Sequence, residues 1–406
     1  MAVTVVVGAQ WGDEAKGKIV DFLASDADYV VRYGGGNNAG HTVWLKDQEF
    51  KFHTVPCGLL HPHATAVIGD GVAVDPINLA QELDIVAAKG IDSSNLRIGS
   101  RCHLILRYHT MIDELEESRR GSSPLGTTKR GIGPTYADKA ARSGLRMEDL
   151  VDPLRFRARL EKSLEQKNAI LKHLYGHAPI ALESMLDIYE PLGRRFRDQT
   201  IDVPARLLDA VRSGKRIIME GAQGTLLDID YGAYPFVTSS HPIAAGACLG
   251  TGIGPRHLKR IIGVAKAYTT RVGEGPFATE LKDSTGERIR DQGQEYGTTT
   301  GRPRRCGWLD LPMLKYSAEI NTMTELAITR LDVLSGIDPL KACIEHGSNG
   351  PVYIELEGWK DDLRGIRSRE ALPDAAQRYL SIIEERTGVP VSIVSVGPER
   401  SETIVS

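Results

Sequence analysis

The chain has little net charge, no paired cysteines and no long apolar run, and each absence removes a class of function. Lys plus Arg (50) and Asp plus Glu (53) nearly cancel to a formal −3. The basic residues are dispersed, so no nucleic-acid-binding tail or membrane-surface helix is expected. The five cysteines, Cys57, Cys102, Cys248, Cys306 and Cys343, are far apart and form no CxxC pair. That spacing argues against a disulfide framework or a zinc site and for reduced thiols in a cytoplasm. No apolar run approaches the roughly 18 residues needed to span a bilayer. A first strand expected from Ala2 onward leaves no room for a signal peptide.

What is present is an α/β pattern. With 406 residues and 41% apolar content, the chain can bury one large core or a few ordinary ones. Short β-rich runs recur at 3–7, 29–32, 66–68, 216–219, 260–265, 326–329 and 391–394. Helical patterns separate several of them, at 76–88, 204–212, 311–320 and 373–386, most opening with proline near the first turn. Buried apolar strands alternating with helices predict a large, mostly parallel central sheet covered by helices. The stretch 153–196 is long, polar and helical, and reads as a helical excursion from one domain spanning 1–406. The similar turns RGIGP and TGIGP sit in no wider repeat.

The loops carry the chemistry. After the run VTVVV comes GAQWGDEAKGK, residues 8–18. Gly12, Gly17 and Lys18 satisfy G-x4-G-K between a predicted strand and a predicted helix at 18–23, where backbone N–H groups cradle phosphates. The plainer alternative is a strand-to-helix turn whose Asp13 and Glu14 favour the positive helix end. It leaves an exposed Trp11 and the glycine and lysine placements unexplained. Phosphate loops usually place Ser or Thr after the lysine as a magnesium ligand. Here that residue is Ile19, and the loop carries two carboxylates instead.

A second loop, RYGGGNNAGHTV, has glycines and an Asn pair that let backbone approach a ligand closely. His41 at its exit is a catalytic candidate, although a lone histidine is commonly structural. A third, GTTKRGIGPTY, is either an exposed turn or a second anion site. In EGAQGTLLDIDYGAYPFVTSS, Gln223 and Thr238 suit a purine or ribose, and equally suit buried backbone. In YGTTTGRPRRCGWLD, Arg302, Arg304 and Arg305 could clamp carboxylates or phosphates bidentately, or form a solvated face. In TRLDVLSG, Asp332 could pair with the N1–H and N2 donors of guanine while Arg330 stacks on the ring.

Taken in order, QWGDEAKGK, NNAGHTV, GTTKRGIGP, EGAQGTLLD, YPFVTSS, TRVGEGPF, TTTGRPRRCGWLD, RLDVL and the C-terminal SVGP resemble the adenylosuccinate synthetase family. The likeness runs along nearly the whole chain. It implies a P-loop NTPase-related α/β fold, a cytoplasmic homodimer, and GTP-dependent condensation of IMP with L-aspartate through 6-phosphoryl-IMP. It also explains the odd loop: Asp13 would bind Mg²⁺, one ion per subunit, and take the N1 proton of IMP.

The remaining roles transfer by position. Gly40 would supply a second oxygen to Mg²⁺, and His41 would contact the transferring phosphoryl group. GTP would be held by Gly12, Asp13, Glu14, Ala15, Lys16, Gly17, Lys18, Gly40, His41, Thr42, Arg304, Arg330, Leu331, Asp332, Ser395, Val396 and Gly397. IMP would meet Asp13, Glu14, Ala15, Lys16, Asn38, Ala39, Gly40, His41, Thr128, Gln223, Thr238 and Arg302, with Arg142 reaching in from the other subunit. Aspartate would lie on Thr298, Thr299, Thr300, Gly301, Arg302, Pro303 and Arg304.

The chain departs from the family pattern in four respects. Ala15 replaces a glycine, which is harmless only at negative φ and otherwise costs about 1 kcal/mol. Gly34 stands where glutamine is common, and Arg330 replaces a lysine. The chain is also shorter than the commonest bacterial members, with losses in the helical excursion and before the C-terminus. Two rivals stay open. A phage-type relative acts on dGMP but usually lacks the loop aspartate, and a non-catalytic GTP-binding switch would need no IMP.

Overall fold

Each predicted strand and helix forms in the computed structural model, which describes residues 3–45, 48–121, 125–296 and 303–405, with boundaries moved by a few positions. Alternation along the first strand, Val3–Gly8, sets the layers. Val3, Val5 and Val7 join one apolar cluster and Val6 the other, as a period of two requires of a strand buried on both faces.

That strand lies inside a ten-stranded sheet. The order across it is Thr403–Val405, Val391–Ser395, Glu325–Thr329, Leu258–Lys266, Val3–Gly8, Ile217–Glu220, Tyr29–Arg32, Thr65–Ile68, Leu96–Gly99, Thr200–Ile201. Neighbours pair in parallel except at the Thr403–Val405 edge, which is antiparallel. Parallel strands bring their carboxyl ends to one side. The candidate loops after Gly8, Arg32, Glu220, Thr329 and Ser395 therefore open on the same rim, where α/β sheets bind ligands.

The excursion is two helices, Pro153–Tyr175 and Leu182–Phe196. Asp152 caps the first by accepting from Leu154 N and Arg155 N, and Gly176 ends it at φ 65. Phe156, Leu160 and Leu164 pack with Met185, Leu186 and Tyr189 in the cluster under the sheet. The similar turns have opposite uses. RGIGP starts the helix Ile132–Ala141, whereas Gly252 of TGIGP ends the helix Ala244–Thr251. Among the described residues, no helix is long and apolar enough to cross a membrane.

Candidate active site

The loops on the rim enclose one cleft of about 1810 Å³. Its lining includes Gly12, Asp13, Ala15, Lys16, Gly17, Lys18, Asn38, Ala39, Gly40, His41, Thr42, Thr128, Gln223, Thr238, Arg304, Arg330, Asp332, Ser395 and Gly397. Segments far apart in sequence thus meet on one cleft. Thr298, Thr299, Thr300, Gly301 and Arg302 lie outside the described residues.

The two loop carboxylates have opposite fates. Glu14 is fully buried, and its Oε1 accepts from Gln10 N at 3.1 Å and Gly12 N at 2.8 Å. Its Oε2 pairs with Lys16 Nζ at 2.5 Å. A Glu14 contact to nucleotide would have to use its main chain. The Asp13 side chain keeps 30% exposure, with Oδ2 3.0 Å from Arg304 Nε. Lys18, expected on phosphate, is engaged elsewhere. Its Nζ donates to Ser395 Oγ (2.6 Å), Gly397 O (2.6 Å) and Glu402 O (2.9 Å), tying the helix Lys16–Ala24 to the C-terminal loop. Burial pulls its pKa down to about 8, against the attraction of Glu402 and Asp332.

One expectation about this loop needs correction and one conditional reading is settled. Trp11 is not exposed: it is buried under Arg271, whose guanidinium sits 3.8 Å from the ring centroid. Ala15 adopts φ 65, ψ 33, so the missing glycine leaves real left-handed strain. Gly34 carries no such demand, since a Cβ there would meet nothing nearer than 4.0 Å.

His41 gains a partner that sequence reasoning missed. Its Nδ1 lies 2.6 Å from Glu220 Oε1, while Glu220 Oε2 accepts from Cys57 N at 2.9 Å. Burial opposes ionisation of Glu220. The His41 hydrogen bond and charge, with the Arg32 cation, outweigh it and hold the carboxyl below its usual range. Burial also lowers the His41 pKa, with Glu220 opposing. Glu220 is therefore a carboxylate that accepts from His41 Nδ1–H. That leaves Nε2, buried and without a partner among the described residues, in a ring that lines the cleft. Gly17 makes room, since a Cβ there would come within 3.0 Å of the His41 Cβ.

A second missed hub is Glu295. It binds Lys266 Nζ at 2.7 Å, Tyr268 OH at 2.5 Å and Arg304 Nη1 at 2.7 Å. Despite burial, the Lys266, Arg304 and Arg330 cations pull its pKa down to about 2. Arg304 is thus aimed at Asp13 by a fixed anion. Glu220 and Lys266 did carry a sequence signal: each is a charge ending a buried apolar strand, IIME and GVAK. Arg305, by contrast, is spent on Glu280, with both contacts at 2.7 Å, and is not a free clamp.

On the base-reading wall, Gln223 Nε2 donates to Asn38 Oδ1 at 3.0 Å. Gln223 Oε1, Thr238 Oγ1 and Asp332 Oδ1 are buried without partners among the described residues. Burial raises the Asp332 pKa while Arg330 and Lys18 oppose. Arg330 anchors by donating Nη2 to Gly293 O at 2.5 Å. Leu331 and Val396 point into the core, so they could meet nucleotide only through backbone. Thr128 is exposed in its loop, where Glu117 Oε1 accepts from Gly126 N at 2.7 Å. Pro303 and Arg142 are exposed and not part of this lining.

Comparison with known proteins converges on one family. A family model described as adenylosuccinate synthetase matches residues 5–404. An adenylosuccinate synthetase of Moorella thermoacetica is 50% identical, covering 100% of this chain and 99% of its own. One from Heliobacterium modesticaldum is 51% identical with the same coverage. The alignment to the former runs over 422 positions against 406 residues here, consistent with deletions in this chain. The solved structure of fully ligated adenylosuccinate synthetase from Plasmodium falciparum superimposes with TM-score 0.95 at 36% identity, covering 100% of both chains. A cyanophage S-2L succinoaminodeoxyadenylate synthetase bound to dGMP and dATP shares the fold at TM-score 0.66 and 20% identity, over 100% of this chain and 95% of that one.

Proposed function

The chain belongs to the adenylosuccinate synthetase family, and from that premise we infer how its cleft joins IMP to L-aspartate with GTP. The carbonyl at C6 of hypoxanthine is a poor electrophile and its oxygen a poor leaving group. Asp13 takes the N1 proton, O6 attacks the γ-phosphate, and GDP leaves. The aspartate amine then displaces phosphate from C6 of 6-phosphoryl-IMP, giving adenylosuccinate.

The residues divide this work. Gln223, Asn38 and Thr238 hold the IMP purine and phosphate, and Asp332 reads guanine through its donors. His41 Nε2 contacts the transferred phosphoryl group. Once Nε2 has taken up a proton from solvent, the ring donates it to the phosphoryl oxygens as their charge builds, with Glu220 holding Nδ1 and balancing the cation. The Asp13 carboxylate and the Gly40 carbonyl are hard oxygen donors on the cleft and fit Mg²⁺. When bound, one Mg²⁺ per subunit would neutralise charge on the GTP phosphates.

The observation that carries this reading is the set of residues whose buried atoms have no partner among the described residues, His41, Gln223, Thr238 and Asp332, lining the same cleft as the part-exposed Asp13. The test offers IMP or dGMP with GTP, Mg²⁺ and aspartate and follows product absorbance. Turnover with IMP is expected. Turnover confined to dGMP would move the chain to the phage-type reaction, which Asp13 disfavours. GTP binding without IMP-dependent turnover would leave a switch.

We also read 1–406 as one domain working as a cytoplasmic homodimer. Arg142 ends the helix Ile132–Ala141 at φ 62, exposed and outside its own cleft lining, as a residue reserved for a partner would be. Inactive Arg142→Leu and Asp13→Ala chains, mixed after dissociation, should regain activity in about a quarter of sites. No regain in verified heterodimers would return Arg142 to its own chain. The unpaired thiols favour a reducing compartment, and cell fractionation checks it.

A further inference from the structure

Away from the cleft, a small three-stranded sheet collects a carboxylate, a thiol and an imidazole. Leu309–Asp310 runs parallel to Leu340–Gly347, placing Asp310 in register with Cys343. Side chains alternate between faces along a regular strand, so Cys343 and His346 would point to opposite sides. A register shift between Cys343 and Glu345, in the pairing with Gly350–Leu356, supplies the extra residue that returns His346 to the Cys343 side. One ligand atom from each of Asp310, Cys343 and His346 then lies within 4.8 Å of the others.

The carboxylate is only partly explained by the fold. Asp310 Oδ1 caps the helix Leu311–Asn321, accepting from Met313 N at 3.1 Å, and lies 3.0 Å from His346 Nε2. Asp310 is 4% exposed, and its Oδ2 is buried without a hydrogen-bond partner among the described residues. An unsatisfied buried carboxylate oxygen is costly, and helix capping does not need it.

We propose that Asp310, Cys343 and His346 form a binding site for a divalent metal of zinc-like preference. Sulfur, imidazole nitrogen and one carboxylate oxygen suit Zn²⁺, whereas Mg²⁺ and Ca²⁺ take oxygen almost alone. Three protein ligands leave a fourth position open, on the side where the His346 side chain is 39% exposed. Binding engages Oδ2 and leaves Oδ1 on the helix. Cys343 gives up its contact to Glu345 O and releases its thiol proton to solvent, and His346 carries its proton on Nδ1. The wide cysteine spacing hid this site, because no ligand is near another in sequence except Cys343 and His346.

Co²⁺ added to the full-length chain without Mg²⁺ or nucleotide is the probe, read by the cobalt–thiolate charge-transfer band. A second mixed cluster, His41, Cys57 and Glu220, shares His41 with the cleft, so the cysteine variants must separate the two. The band is expected in the wild type and in Cys57→Ser, and absent in Cys343→Ser. Zn²⁺ should bleach it. His346→Gln, at a part-exposed position that leaves the fold intact, should weaken Co²⁺ binding at least about tenfold. The proposal is overturned by a wild type with no band, by a band that survives Cys343→Ser or disappears in Cys57→Ser, or by unchanged affinity in His346→Gln.

Discussion

The phosphate loop and the base-reading wall of the cleft are built on opposite plans. In the loop, most polar groups are consumed by the fold, Trp11 Nε1 excepted. Glu14 takes two loop amides and Lys16, Gln10 bonds Lys266 and Tyr268, and Lys18 has three acceptors. On the wall, Gln223, Thr238 and Asp332 each keep a buried atom with no partner among the described residues. Buried polar atoms are normally satisfied, so the orphans mark where a ligand supplies the missing half. The wired loop holds a shape, and the wall waits for a purine. Asp13 is the loop residue that belongs with the wall.

The largest expected effect separates Asp13 from its neighbour. Asp13→Asn should lower kcat by about 10²–10⁴-fold, because an amide cannot accept the N1 proton. Its stability should stay near wild type, since the side chain is part-exposed. A kcat within tenfold of wild type would remove Asp13 from the base role. Glu14→Ala should do the reverse in kind. It strands a buried lysine and two amides, and should cost about 3–5 kcal/mol in denaturant unfolding. A loss below about 1 kcal/mol would mean the loop holds itself without its carboxylate.

The wall should show selectivity rather than stability. Adenine offers Asp332 no donors at N1 and C2, so GTP should be preferred over ATP. Asp332→Asn should shrink the ratio of the two kcat/KM values by about tenfold or more, because a neutral amide penalises the wrong base less. Equal use of ATP and GTP by the wild type would end the guanine reading.

Much of this was legible in sequence where local pattern decides: the strands, the helix Pro76–Ala88, the excursion, and the glycine-rich loops. Legibility failed where a side chain's direction depends on distant chain. Glu14 and Asp13 look interchangeable in GDEAKGK, yet one turns inward because Lys16 and the Gln10 and Gly12 amides are there to receive it. Trp11 looked exposed because Arg271, far along the chain, covers it. Glu220 and Glu295 act only through His41 and Arg304, and no spacing rule pairs residues so far apart as Glu220 and His41.

The smallest expected effect tests what the wiring sustains. Ala15 sits at φ 65, where a Cβ costs about 1–2 kcal/mol relative to glycine. Glycine also loosens the unfolded chain by about 0.4–1 kcal/mol. Ala15→Gly should therefore stabilise the protein by about 0.5–1 kcal/mol, seen as a higher denaturant midpoint with an unchanged slope. The Glu14 knot is what holds Ala15 in that conformation. In a Glu14→Ala background the loop can relax, and the gain from glycine should shrink towards zero. A double-mutant cycle measures the difference directly. If the gain is the same in both backgrounds, the left-handed turn is dictated by Gly12 and the helix start rather than by Glu14, and the loop's wiring does not carry its strain.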